Sequence, residues 1–200
     1  MPVQWIIGDP VFGNSFLTGE ILVDAGVTPM AVSRYRDRIK KIILTHCHYD
    51  HTAYVKEIAH MCNAEVYIHH LDSSGLVEDK KSLSMNFASH SPGIIPDHTV
   101  KNGDLIDDLI VIHTPGHTPG SICLFNEASG DLISGDTVFT DGGFGRFDFP
   151  GGDRNALVRS IDLLCTLEIN GLYPGHGEPS LHDGIRHVNA ARQLLGMTFH

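Results

Sequence analysis

Six consecutive residues, His46-Cys47-His48-Tyr49-Asp50-His51, hold three imidazoles and a carboxylate. Groups that each prefer water or a metal would crowd and repel one another with no ion among them. Neutral imidazole and carboxylate together form an ordinary donor set for zinc and iron(II). Further donors stand in Thr114-Pro115-Gly116-His117, Ser134-Gly135-Asp136-Thr137 and Tyr173-Pro174-Gly175-His176-Gly177. A Pro-Gly pair before a histidine makes a sharp turn, and glycine lets the backbone come close to a bound ion. The segment Asp24-Ala25-Gly26 also follows an apolar run. The chemistry these residues can do is metal-centred.

Each donor turn must be delivered by an element, and the apolar runs before them read as strands. The pattern predicts strands over 3–7, 15–17, 21–23, 41–44 and 65–68, then over 109–112, 122–125, 131–134 and 171–174. Short helices are expected over 31–38 and over 53–61, the latter capped by Thr52. The strongest helical period covers 155–167, with Asp153 or Arg154 near its start, and 184–195 closes the chain as a helix. Residues 73–96 are rich in Ser, Gly, Pro and His without a clear period. They read as an irregular insertion, either a lid over substrate or a solvated connection. Strands alternating with helices in both halves imply two sheets flanked by helices. With no linker and no low-complexity segment, the expectation is one domain over 1–200.

Composition narrows the partners. Two hundred residues suffice for a full hydrophobic core, and 42% hydrophobic with 19% charged residues is ordinary for a globular chain. A formal charge of −10 is a poor match for phosphate backbones, so nucleic acid is not expected as a partner. No apolar stretch approaches the roughly 18 residues that span a bilayer, so no membrane partner is expected either. The start, Met1 to Asp9, has no basic region before its apolar run, so no signal peptide is expected. The scattered cysteines Cys47, Cys62, Cys123 and Cys165 read as reduced thiols, and the expected location is cytoplasmic. Cys47, a spacer between two histidines, is expected to point away from the metal.

The pattern His-x-His-x-Asp-His at 46–51, with His117, Asp136 and His176 in order, resembles the metallo-β-lactamase-fold superfamily over nearly the whole chain. The resemblance implies an α/β fold of the α+β type, a four-layer αββα sandwich with two divalent metal ions at one edge. Zinc is the first choice, and iron and manganese are also accepted by such donors. By the same resemblance His46, His48 and His117 hold one ion. Asp50, His51 and His176 hold the other, and Asp136 bridges them. Asp24 matches the position that orients the first ligand loop. Two ions roughly 3.5–4 Å apart lower the pKa of a shared water, so that hydroxide is available near neutral pH. Asp50 and Asp136 are the candidate catalytic carboxylates, Asp50 by accepting a hydrogen bond from the nucleophile.

Substrate is read from a different stretch. The segment from Gly135-Asp136-Thr137-Val138-Phe139 to Gly143-Phe144-Gly145-Arg146-Phe147-Asp148-Phe149-Pro150-Gly151-Gly152-Asp153 resembles that of glyoxalase II-like hydrolases. This implies hydrolysis of a small-molecule acyl thioester by attack of a metal-bridging hydroxide. Arg146 and Asp148 are either an internal salt bridge that anchors the loop, or Arg146 faces an anionic substrate group. Tyr49 and Phe144 are candidate cleft walls, or ordinary packing. Only 24 residues follow His176, too few for the helical region that contacts glutathione in authentic glyoxalase II. The thiol carrier is therefore open. Two alternatives stand beside the hydrolase: a mononuclear iron persulfide dioxygenase and a non-catalytic metal-binding member of the fold. The other histidines, His60, His69, His70, His90, His98, His113, His182, His187 and His200, are expected on the surface or on helix faces.

Overall fold

The computed structural model describes residues 2–197, and His200 lies outside them. The chain divides into two compact units, Met1–Val100 and Lys101–His200. The first unit is built on a six-stranded sheet of β1 (Gln4–Ile6), β2 (Ser15–Thr18), β3 (Ile21–Val23), β4 (Lys41–Leu44), β5 (Glu65–His69) and β6 (His98–Val100), in that order. The β1/β2 and β2/β3 pairs are antiparallel, and β3 through β6 are parallel. Strands β1, β3, β4 and β5 therefore run the same way, and the chain leaves all four at one end of the sheet. Ile42, Ile43 and Leu44 are wholly buried, the continuous apolar run expected of a parallel strand covered on both faces.

Around this sheet lie α1 (Pro29–Val32), α2 (Tyr49–Thr52), α3 (Val55–Cys62) and α4 (Asp79–Ser82). Helix α3 sends Val55 and Ile58 into a core shared with Leu22, Ile42, Leu44 and Leu76. The helix expected over 31–38 is shorter. It starts at Pro29 and gives way at Ser33 to a 3-10 turn, where the Ser33 hydroxyl donates to the Met30 carbonyl. Thr52 caps no helix. It closes α2, its hydroxyl donating to the His48 carbonyl, and Tyr54 precedes α3. The insertion is less irregular than its composition suggests, because Ser73–Leu76, Asp79–Ser82 and Ser84–Phe87 are short helical turns.

The second unit carries β7 (Leu105–Ile106), β8 (Leu109–His113), β9 (Ile122–Asn126), β10 (Asp131–Gly135) and β11 (Gly171–Pro174), in the order β11-β10-β9-β8-β7. Strands β7 to β10 pair antiparallel and β10/β11 is parallel. Hence β8, β10 and β11 run the same way and end together. Helices α5 (Arg154–Leu164) and α6 (Gly184–Met197) supply Leu157, Ile161, Val188 and Leu195 to a core with Ile112, Cys123 and Leu132. The Asp153 carboxylate accepts from the Ala156 N–H at 2.9 Å and sets the start of α5. That helix stops three residues short of the expected 167, in a turn closed by the Thr166 hydroxyl on the Leu163 carbonyl. Two sheets with helices in a mixed α/β chain are thus the fold class expected.

Candidate metal centre

In the first unit the donors ride on the chain leaving β4. Residues 45–48 form a loop, and Tyr49–Thr52 turn it into α2. His46, His48 and His51 are buried, with ring centroids 4.8 Å apart for His46 and His48 and 4.3 Å for His46 and His51. Asp24, just after β3, organises them. Its Oδ1 accepts from the Thr45 N–H at 2.7 Å, and its Oδ2 accepts from the Thr45 hydroxyl and from His51 Nδ1, both at 2.8 Å. The Thr45 hydroxyl has given its proton to Asp24, so at 3.0 Å it accepts from His46 Nδ1. One buried carboxylate therefore fixes the tautomer of two imidazoles and leaves Nε2 of each as the acceptor nitrogen. Asp24 sits in the left-handed region (φ +60°), which aspartate tolerates better than most residues.

The neighbouring strand ends brace this loop. Asp72, beyond β5, accepts from the Cys47 N–H at 3.0 Å, and the Cys47 thiol points to the Lys81 carbonyl in the insertion. Burial, then the Asp72 charge, raises that thiol well above its ordinary value. Gly13, in the loop after β1, lies flat on the His51 ring. A Cβ there would stand 2.6 Å from Cε1 and 2.8 Å from Nε2. The Gly13 N–H also donates to the Asp50 carbonyl at 3.1 Å.

In the second unit three separate strand ends deliver one donor each. His117 follows β8, Asp136 follows β10 and His176 follows β11. A register shift between β10 and β11 brings Gly135 opposite Pro174 and swings Asp136 off the strand line. The turns are stitched together: the Gly175 N–H donates to the Gly135 carbonyl at 2.8 Å, and the Thr114 and Thr137 hydroxyls share a hydrogen bond of 2.9 Å. His117 Nδ1 donates to the Arg146 carbonyl at 2.6 Å, so Nε2 is the acceptor nitrogen of its neutral ring. The Asp136 Oδ2 stands 3.5 Å from His117 Nε2 and 3.6 Å from His176 Nε2. An acceptor nitrogen facing a carboxylate oxygen at that distance is repelled unless a cation neutralises the pair. His51 Nε2 and Asp50 Oδ2, 3.8 Å apart in the first unit, face each other in the same way.

This donor chemistry fits divalent cations. The residues at these strand ends are the candidate donors named from the sequence. Sequence reasoning did not single out Thr45, Gly13, Asp72 or the Arg146 carbonyl, which act through hydrogen bonds and close packing to the loops rather than through any spacing visible in the sequence. Among the candidate substrate residues, Tyr49 opens α2 and its hydroxyl accepts from the Ser89 hydroxyl at 2.7 Å. The Arg146 side chain is 64% exposed, makes a two-pronged pair with Asp148 and stacks over Phe149 at 4.2 Å. Phe144 packs against the core of its unit, 6.4 Å from Phe147 and nearly coplanar with it. Of the histidines expected on the surface or on helix faces, His69 is instead buried on β5, while His187 lies on α6 with its ring buried. His187 Nδ1 accepts the Asp141 N–H at 2.8 Å.

The metallo-beta-lactamase superfamily profile matches residues 8–176, and the chain belongs to that superfamily. A protein of Methanocaldococcus jannaschii named "Probable metallo-hydrolase MJ0888" is 40% identical over 148 residues, 70% of either chain. An uncharacterized protein of Aquifex aeolicus is 33% identical over 133 residues, 64% of this chain and 63% of its own length. The chain thus spans less than two thirds of that relative. Among solved structures, TTHA1623 in a di-iron-bound form superimposes with a TM-score of 0.80 at 26% identity, covering 89% of this chain and 94% of its own.

Proposed function

We propose that the protein is a dinuclear metal-dependent hydrolase of small acyl thioesters, of the glyoxalase II-like kind and acting in the cytoplasm. The observation that carries the metal centre is the shared hydrogen-bond pattern of His46, His51 and His117. In each, Nδ1–H is committed to a hydroxyl, a carboxylate or a carbonyl, which turns Nε2 into a ligand nitrogen. In this reading the two units work as halves of one domain. His46, His48 and His117 would hold one ion, Asp50, His51 and His176 the second, with Asp136 shared. Zinc is our first choice, with iron or manganese as the alternatives, and a relative in structure holds two irons.

Bound there, the ions would supply Lewis acidity and lower the pKa of water toward neutrality. The chain's own part is orientation and charge. Asp50 accepts a hydrogen bond from the attacking water and aims it at the acyl carbon. Burial of His46, His48, His51 and His117 keeps these donors in a low-dielectric setting where nearby charges count for more. Water oxygen bonds to the acyl carbon as its proton passes to Asp50, the C–S bond breaks, and the sulfur takes that proton and leaves as the thiol. Arg146, Tyr49 and Phe144 remain our candidates for the substrate side.

Metal analysis combined with a panel of thioesters and esters tests this reading. Two zinc or iron ions per chain with thioester turnover is the expected result. Asp136→Ala should lose metal pairing and at least about a hundredfold in activity; a fully active variant disproves the shared role. One iron per chain with oxygen uptake on a persulfide would install the dioxygenase instead. A fully loaded protein inert across the panel would make it a non-catalytic member.

A further inference from the structure

Three aromatic rings from three separate segments of the first unit meet beside the donor loop. Phe12 comes from the loop after β1, Tyr49 stands between the donors His48 and Asp50, and Phe87 ends the turn Ser84–Phe87 of the insertion. Phe12 and Phe87 stack at 5.6 Å, Tyr49 and Phe87 lie 5.4 Å apart, and Phe12 and Tyr49 6.3 Å apart. None of the three is buried, unlike Phe16 of the core. Their chain neighbours Val11 and Met85 are 60% and 65% exposed. Aromatic surface left open next to two donor residues is costly unless something covers it.

The backbone is strained to put Phe87 there. Leu83 and Ala88, which bracket the turn, both adopt left-handed φ values, +58° and +50°. Residues with a Cβ avoid that region, and such strain persists only where the surroundings over-determine it, commonly at ligand clamps. The surroundings do so here. Ser89 is bonded to the Tyr49 hydroxyl, and Gly13 to the Asp50 carbonyl, so both flanking segments are fastened to α2. Three charged groups of the insertion are engaged elsewhere, Lys81 with Glu78 and Ser74, and Asp79 with His90 and Ser91. The rings themselves are uncharged.

We propose that Phe12, Tyr49 and Phe87, flanked by Met85, form the acyl-side subsite and select an uncharged apolar substituent, aryl or medium-length alkyl, on the substrate carbonyl. Tyr49 is one residue from His48 and from Asp50, so a group held by the rings has its carbonyl within a side chain's reach of the donors. The hydrolase reading supplies the bond that is cut, whereas the binding preference stands on the rings.

Product acids separate the two. Calorimetric titration of the zinc-loaded protein with acetate, butyrate, hexanoate and phenylacetate should show Kd falling at least about tenfold from the first to the last two. Phe12→Ala and Phe87→Ala should flatten that gradient to within about threefold while melting as the parent does. If Phe87→Ala does not fold, Phe87→Leu decides: it should keep the alkyl gradient and lose the preference for phenylacetate over hexanoate. A parent whose affinity ignores acyl size, or a well-folded Phe87 variant with an intact gradient and preference, overturns the subsite. Thioester turnover without a size gradient sinks the subsite and leaves the hydrolase. A gradient without any turnover does the reverse.

Discussion

The two units supply their donors by opposite means. The first concentrates four of them on one loop and one helical turn, residues 46–51, and hangs two imidazoles on the single carboxylate of Asp24. The second draws three candidate donors from three strand ends up to 59 residues apart in sequence (His117 to His176). There, each turn is tied to the next by its own bond: Gly175 to Gly135, Thr114 to Thr137, Arg146 to His117. A hub fails all at once; a chain of ties fails piece by piece.

That contrast can be broken most severely at the hub. Asp24→Ala should lower metal affinity by about 10–100-fold for both ions, since it leaves Thr45, His46 and His51 without their orienting acceptor. Metal retained per chain after graded chelation measures this, and loss of only one ion would refute the hub. A smaller effect is expected from Gly145→Ala in the second unit. Its Cβ would overlap the Asp136 carbonyl and stand 3.0 Å from His117 Cγ, so the turn must shift. The cost should be about 1–3 kcal/mol of stability, read by denaturant unfolding, with partial loss of metal. An undisturbed variant would mean that the second unit's turns are looser than their bonding implies.

The smallest effect concerns alkaline pH and falls mainly on the second unit. Burial, partly offset by the Thr114 and Thr137 hydrogen bonds, pushes the Cys123 thiol up from 9.0 to about 11. Burial, then the Asp131 carboxylate, raises the Tyr173 phenol from 10.0 to about 12. A raised folded value means that the unfolded chain loses its proton first. The stability tied to these groups is therefore complete below about pH 9 and is lost as pH rises toward 12. Calorimetric melting should be flat up to pH 9 and fall beyond it, and a rise over that window would contradict the assignment.

The same contrast explains what could be read in the sequence. The donors at 46–51 are visible because they are consecutive, and β3, β4 and β11 fall on the expected residues because each is a short apolar run ended by a turn. Asp24 is visible as a turn residue after an apolar run, but its orienting role comes only through resemblance, since its partners Thr45 and His51 lie 21 and 27 residues away. The meeting of Phe12 with Phe87 spans 75 positions and leaves no periodic trace. Thr52 looked like a cap because threonine before an apolar helical period usually is one. The helical turn at Tyr49–Thr52 pre-empts that role, drawing its hydroxyl back to the His48 carbonyl.

Strand direction has one more consequence. Within each sheet the strands that end at a candidate donor run the same way, so the opposite end of that sheet is remote from those residues. The turns at Gly19-Glu20, before β3, and at Glu127–Gly130, before β10, lie at those ends. A peptide tag or a fluorescent protein spliced into the Ala128-Ser129 turn should therefore be carried without disturbing the candidate donor turns. Each unit thus keeps one end of its sheet for the candidate donors and leaves the other end open to engineering.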